Sequence, residues 1–213
     1  MTGAPPMPAK RSLTLALALL LVAAIPARAA AFPEITVIDM NSGTASFLPG
    51  PLTAFDGYLD FSADDGTSGR ELWRTDGTTL GTTRVADINS GPYSSYPSEF
   101  TVFDGHLYFS ASESCDESCD VELWRTDGGV DETHAGSELA CDIRPSGGSN
   151  PFLIGVLGDW LYFTANDGTN GDELYRTNGA INGCEIVAIN ADADANVSEA
   201  VVIGDKLWFS ATD

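Results

Sequence analysis

The strongest constraint on this chain is that it repeats itself. DGYLDFSA at 56–63 returns as DGHLYFSA at 104–111, as GDWLYFTA at 158–165 and as GDKLWFSA at 204–211. Between these segments lie ELWRTDG at 71–77, ELWRTDG at 122–128 and ELYRTNG at 173–179, followed by VADINSG at 85–91 and its counterpart ACDIRPSGG at 140–148. A period of roughly 50 residues decides architecture before any single residue does, because a unit that short cannot bury its own apolar faces and must stack on its neighbours. The period places units at 56–103, 104–157 and 158–203, with a partial blade at 34–55 and a partial unit at 204–213.

Inside a unit the apolar residues alternate. Leu107, Phe109 and Ala111 are interleaved with Tyr108 and Ser110, which is the period of a strand. Asp104-Gly105 joins them to the preceding Phe100–Phe103 through a tight hairpin, and Glu71–Thr75 followed by Thr83–Ile88 supply two more strands. No helical periodicity longer than a turn interrupts the pattern. The expected fold is all-β, a β-propeller-like array of four-stranded antiparallel blades. A strand at 34–40, three whole units and two final strands predict an incomplete ring, either part of a longer product or half of a ring that two copies complete by strand exchange.

The segments ELWRTDGTTLGT (71–82), VELWRTDGG (121–129) and DELYRTNGA (172–180), set beside LYFSA and VADINSG, resemble the ELWxxDGT repeat family of secreted, mostly bacterial proteins. The resemblance covers about Glu34 to Asp213. It implies an extracellular propeller-like array and no catalytic residues. The third unit departs from the pattern at Tyr175, Asn178 and Ala180, and the second carries insertions, so the third blade is expected to be the less regular.

The N-terminus reads as an export signal. Lys10 and Arg11 precede an apolar run from Leu13 to Ile25, then Pro26 and Ala27-Arg28-Ala29-Ala30-Ala31, the order of a cleavable leader spanning 1–31. The run is too short to cross a bilayer, which needs about 20 residues. The mature chain, 32–213, is therefore expected to be secreted or held at the cell surface, with no transmembrane segment. Lys and Arg total 10 against 31 Asp and Glu, a net charge of −21. Such a surface repels nucleic acid and anionic lipid. The expected partner is an extracellular protein or glycan.

Four cysteines in an exported chain are expected to pair. Cys115 and Cys119 share an insertion that the other units lack, which favours a local bridge and leaves Cys141 and Cys184 on equivalent outer strands of successive units. His106 and His134 fit no zinc-ligand spacing.

The candidate binding residues are Asp64, Asp65, Asn166 and Asp167, in ADDGTSG (63–69) and ANDGTNG (165–171). Oxygen-rich turns of this kind suit calcium, the one cofactor the sequence suggests, and they equally suit turns in which Asp and Asn capture backbone N–H groups. Asp192-x-Asp194-x-Asn196 opens like an EF-hand loop, but Val197 and Leu207 stand where that loop needs Gly and Glu. Arg74, Arg125 and Arg176 are expected to be charge-paired, with Asp76, Asp127 or a neighbouring unit's acid. Trp73, Trp124, Tyr175 and Trp208 are expected in the inter-unit core. The sequence holds no G-x-S-x-G, no H-E-x-x-H and no basic phosphate loop. The expectation is a non-enzymatic extracellular scaffold or binding module. The alternative, a secreted carbohydrate-active propeller enzyme, demands two carboxylates facing one pocket.

Overall fold

A computed structural model describes residues 38, 49–115, 119–130, 136–187, 189 and 194–212. The leader at 1–31, His134 and, apart from Ile38, the strand expected at 34–40 lie outside the described residues. The described residues form fourteen strands and no helix.

The strands make four antiparallel sheets in chain order. The first holds β1 (Thr53–Phe55), β2 (Tyr58–Asp64), β3 (Arg70–Thr75) and β4 (Thr83–Ala86). The second holds β5 (Ser98–Phe103), β6 (His106–Cys115), β7 (Cys119–Thr126) and β8 (Ser137–Cys141). The third holds β9 (Phe152–Leu157), β10 (Trp160–Asn166), β11 (Asp172–Thr177) and β12 (Cys184–Val187). The fourth is the hairpin of β13 (Ser198–Ile203) and β14 (Lys206–Ser210). Each sheet begins one strand before the sequence period, because the pair that opens a unit, Asp-Gly in the first two sheets and Gly-Asp in the third and fourth, is the turn inside a hairpin. Asp56 and Gly57 have φ of 48° and 81°, and Asp104 and Gly105 have 46° and 72°. Two consecutive positive φ values make the type I′ turn, whose twist matches that of the flanking strands.

One register recurs. Phe61 lies opposite Trp73, Phe109 opposite Trp124 and Phe163 opposite Tyr175. The third sheet keeps this pairing despite its departures in sequence. Both faces of β2 and β6 are covered, with Asp60, Phe61, Ser62 and Ala63 buried in succession in β2, whereas β10 alternates buried and half-buried residues. The reason is that the core lies between sheets. Leu72, Val85 and Ile88 of the first sheet pack with Phe109, Ala111 and Trp124 of the second. Phe103, Tyr108 and Leu123 of the second pack with Leu161, Phe163 and Tyr175 of the third. Leu174 of the third packs with Ala195 and Val197, and Leu207 of β14 rests against that cluster.

Two disulfides are formed. Cys115–Cys119 closes the β6–β7 turn, and Cys141–Cys184 joins β8 to β12, so one is local and the other ties the second sheet to the third.

Candidate functional site: the repeated strands and their turns

The oxygen-rich loops are the β2–β3 and β10–β11 turns, equivalent places in two different sheets. In the first, Asp64 Oδ1 accepts the Gly66 N–H at 2.7 Å. Asp65 Oδ1 accepts the N–H groups of Thr67 and Ser68 at 2.9 and 2.8 Å together with the Thr67 hydroxyl. In the second, Asn166 Oδ1 takes the Gly168 N–H, and Asp167 Oδ1 takes those of Thr169 and Asn170 at 2.7 and 2.8 Å. Burial would raise the Asp65 pKa, but the bonds from Ser68 and Thr67 outweigh it and hold the carboxyl below its ordinary value. Asp167 is lowered as well, first by the Asn170 N–H. Each of these oxygens is already occupied by its own turn. The structure does not bring the two loops together, and among the described residues no three His, Cys, Asp or Glu side chains cluster so as to hold a metal ion. Asp194 likewise serves the backbone, accepting from Asp172 and Asn196 at 3.0 and 2.8 Å. Asp192 lies outside the described residues.

The sequence reading missed the most repeated polar device, the Glu of the ELW segment. Glu71 is fully buried; one oxygen accepts the Ser95 N–H at 3.0 Å, and the other takes the Ile88 N–H at 2.9 Å and the Ser95 hydroxyl at 2.6 Å. Glu122 does the same with Ile143 N–H, Ser149 N–H and the Ser149 hydroxyl, at 3.2, 2.8 and 2.6 Å. Glu173, also fully buried, accepts the Ala195 N–H at 3.1 Å. Each Glu thus fastens the chain leaving its own sheet to the strand at that sheet's centre. Burial pushes Glu71 up to about 7 against the opposing pull of its hydrogen bonds, and it raises Glu122 in the same way. The available signal was a charged residue fixed in a strand position and followed in every unit by Leu and an aromatic residue.

The arginines are paired, with partners other than the turn acids expected. Arg74 meets Asp60, its cross-strand neighbour, at 3.5 Å, with both side chains buried, and its guanidinium lies 4.1 Å from the Tyr58 ring centroid. Arg125 and Arg176 each bond a glutamate on the adjacent outer strand, Glu138 and Glu185, both at 2.7 Å. Two of them also reach the next sheet: Arg74 donates to the Gly128 carbonyl and Arg125 to the Gly179 carbonyl. Trp124 and Tyr175 are buried between sheets, as expected, whereas Trp208 is 57% exposed.

Three pockets stand out among the described residues. About 460 Å³ lies at the end of the first sheet, lined by Phe55, Tyr58, Asp76 and Gly77 among others. About 270 Å³ lies beside the Cys141–Cys184 bridge. All three are lined by carboxylates: Asp56 and Asp76 in the first, Asp142 and Asp167 in the second, and Glu113, Asp120, Glu122 and Asp142 in the third, which holds only about 50 Å³, far below the several hundred that a ligand pocket encloses.

These features define an all-β chain of consecutive antiparallel sheets whose repeated polar residues serve the joints between strands and sheets. No family model, curated protein or solved structure matches the chain.

Proposed function

We propose that the chain is a non-enzymatic extracellular scaffold or binding module, built as a propeller-like array of ELWxxDGT-type units. The observation that carries this reading is the use made of the repeated polar residues. Glu71, Glu122 and Glu173 hold backbone N–H groups, and Arg74 and Arg125 bridge to the next sheet's turn. Residues repeated for catalysis would converge on one pocket, whereas these recur once per sheet at equivalent joints. Radial repetition of four-stranded sheets is the arrangement in which both faces of each sheet are covered, and the buried faces of β2 support it. Two disulfides and the leader-like N-terminus support export to an oxidising compartment. Among the described residues no helix is long and apolar enough to cross a membrane.

The experiment is to incubate the chain with chromogenic glycosides and soluble polysaccharides, measuring both turnover and retention. The scaffold reading expects no turnover. Hydrolysis of any of these substrates by the intact chain would overturn it in favour of a carbohydrate-active enzyme.

A further inference from the structure

The third unit departs from the repeat at Tyr175, where the first two carry Trp73 and Trp124. The register is kept, since Tyr175 lies opposite Phe163 and stacks on it with ring centroids 5.8 Å apart. What changes is the polar tip, which is now a hydroxyl. Tyr175 is only 7% exposed, yet among the described residues its hydroxyl has no hydrogen-bond partner. A polar group buried in this way costs free energy unless something else satisfies it. Tyr175 lines the cavity of about 270 Å³ beside the Cys141–Cys184 bridge.

That cavity is walled from both sides of a joint. Cys141 and Asp142 come from the end of the second sheet, and Asp167, Tyr175, Asn182 and Cys184 from the third, all of them described residues. The disulfide ties the two walls together. Asp142 and Asn182 are exposed, and among the described residues neither side chain has a hydrogen-bond or ion-pair partner. Asp167 is held below its ordinary pKa by its own turn and so carries full charge. Burial pushes the Tyr175 phenol up to about 12, and the charges of Asp167, Glu173 and Glu122 push it the same way. The phenol is therefore neutral at physiological pH and sits in a negative field. Arg144, whose charge reaches Asp167, stands against Gly168 and does not line the cavity.

We propose that this cavity binds a small organic cation through a primary ammonium group. The ammonium donates to the Asp142 carboxylate, the Asn182 carbonyl oxygen and the Tyr175 oxygen, three acceptors for its three N–H donors. Two carboxylates on the lining, with no Lys or Arg among them, select against anions. The volume lies just below the lower end of small-ligand sites, about 300 Å³, and selects against large molecules. A neutral polyol could make the hydrogen bonds but would gain nothing from the field. The site belongs to this joint alone: at the joint between the first and second sheets, Ala86 stands in register where Cys141 does, and Trp124 where Tyr175 does. The proposal rests on the binding-module reading and names its ligand class.

The test is an amide NMR titration of the full chain, both disulfides intact, with putrescine at constant ionic strength, and with butanediol as the neutral counterpart. Putrescine should give saturable shifts confined to the amides around Asp142, Tyr175 and Asn182, with one site per chain, and butanediol should give none. Asp142→Asn should weaken binding about tenfold, as loss of a charge-assisted hydrogen bond does, and Tyr175→Phe should weaken it while keeping the ring. Asp205→Asn, which removes an exposed charge on the β13–β14 turn, should change nothing. If a cavity variant does not fold, the shift map of the unaltered chain and the butanediol comparison decide. The absence of saturable shifts at these amides, equal shifts with butanediol, or equal weakening by Asp205→Asn would overturn the proposal. Failure here without glycoside turnover leaves the scaffold reading in place, whereas turnover overturns that reading without bearing on the cavity.

Discussion

Ser149 donates its hydroxyl to the Glu122 carboxylate at 2.6 Å from 27 residues further along the chain, across the boundary between the second and third sheets. Ser95 makes the same bond to Glu71 at 2.6 Å. A carboxylate that accepts three donors in a buried joint fixes the path of the connecting segment, and removing one partner leaves a desolvated polar group behind. The predictions below follow from these joints.

Stability should rise as the pH falls from 8 to 5. Glu71 goes from an ordinary 4.5 to about 7 in the folded chain, and Asp60 from 3.8 to about 6, both chiefly by burial. The folded state therefore binds protons that the unfolded state has released, and stability is lost as pH climbs through that window, by about 3 kcal/mol for Glu71 alone. Asp65, Asp76 and Asp167 are lowered, so their contribution is lost only in stronger acid. Urea midpoints measured from pH 4.5 to 8 should show the slope, and Glu71→Gln should flatten it.

Arg74→Ala should be among the most damaging single changes, costing about 3–5 kcal/mol, because it strands the buried Asp60 carboxylate. Asp60→Asn in the Arg74→Ala background should recover part of the loss. Thermal unfolding of the two singles and the double checks this, and two purely additive losses would remove Asp60 from the explanation.

The two disulfides should differ in value. Cys141–Cys184 spans a sequence separation of 43 and Cys115–Cys119 one of 4. Loop-closure entropy alone gives about 4 kcal/mol for the long loop and about 2 kcal/mol for the short one. Paired Cys→Ser variants compared by chemical denaturation should keep that order.

Millimolar calcium should leave the unfolding temperature where EDTA leaves it. The Asp65 and Asp167 oxygens already accept the N–H groups of their own turns. A ligand that binds only the folded chain must raise its stability, so an upward shift in calcium would make these turns metal sites after all.

Much of the fold was legible because the repeat states the same strand pattern several times. The Asp104-Gly105 hairpin, the LYF alternation and the ELW strands all stand where the spacing put them. The phase was less legible: a period that starts at Asp56 cuts through a hairpin, since sequence similarity marks the turn while hydrogen bonding marks the sheet. The joints were harder still. Arg74 could be read as charge-paired, but its partner Asp60 is replaced by Tyr108 and Tyr162 in the other sheets, so no repeated acid pointed to it. Glu71 and Glu122 look like ordinary strand charges until the backbone that returns over them is known. Trp208 matches Tyr108 in sequence, yet it is 57% exposed where Tyr108 is buried.

The central claim, that the repeated glutamates are joints between sheets, is tested most directly by a double-mutant cycle on Glu122→Gln and Ser149→Ala, read as unfolding free energy at pH 7. The account predicts that each single change destabilises and that the pair couples by about 1–3 kcal/mol. Additive effects, or singles that leave stability unchanged, would contradict it.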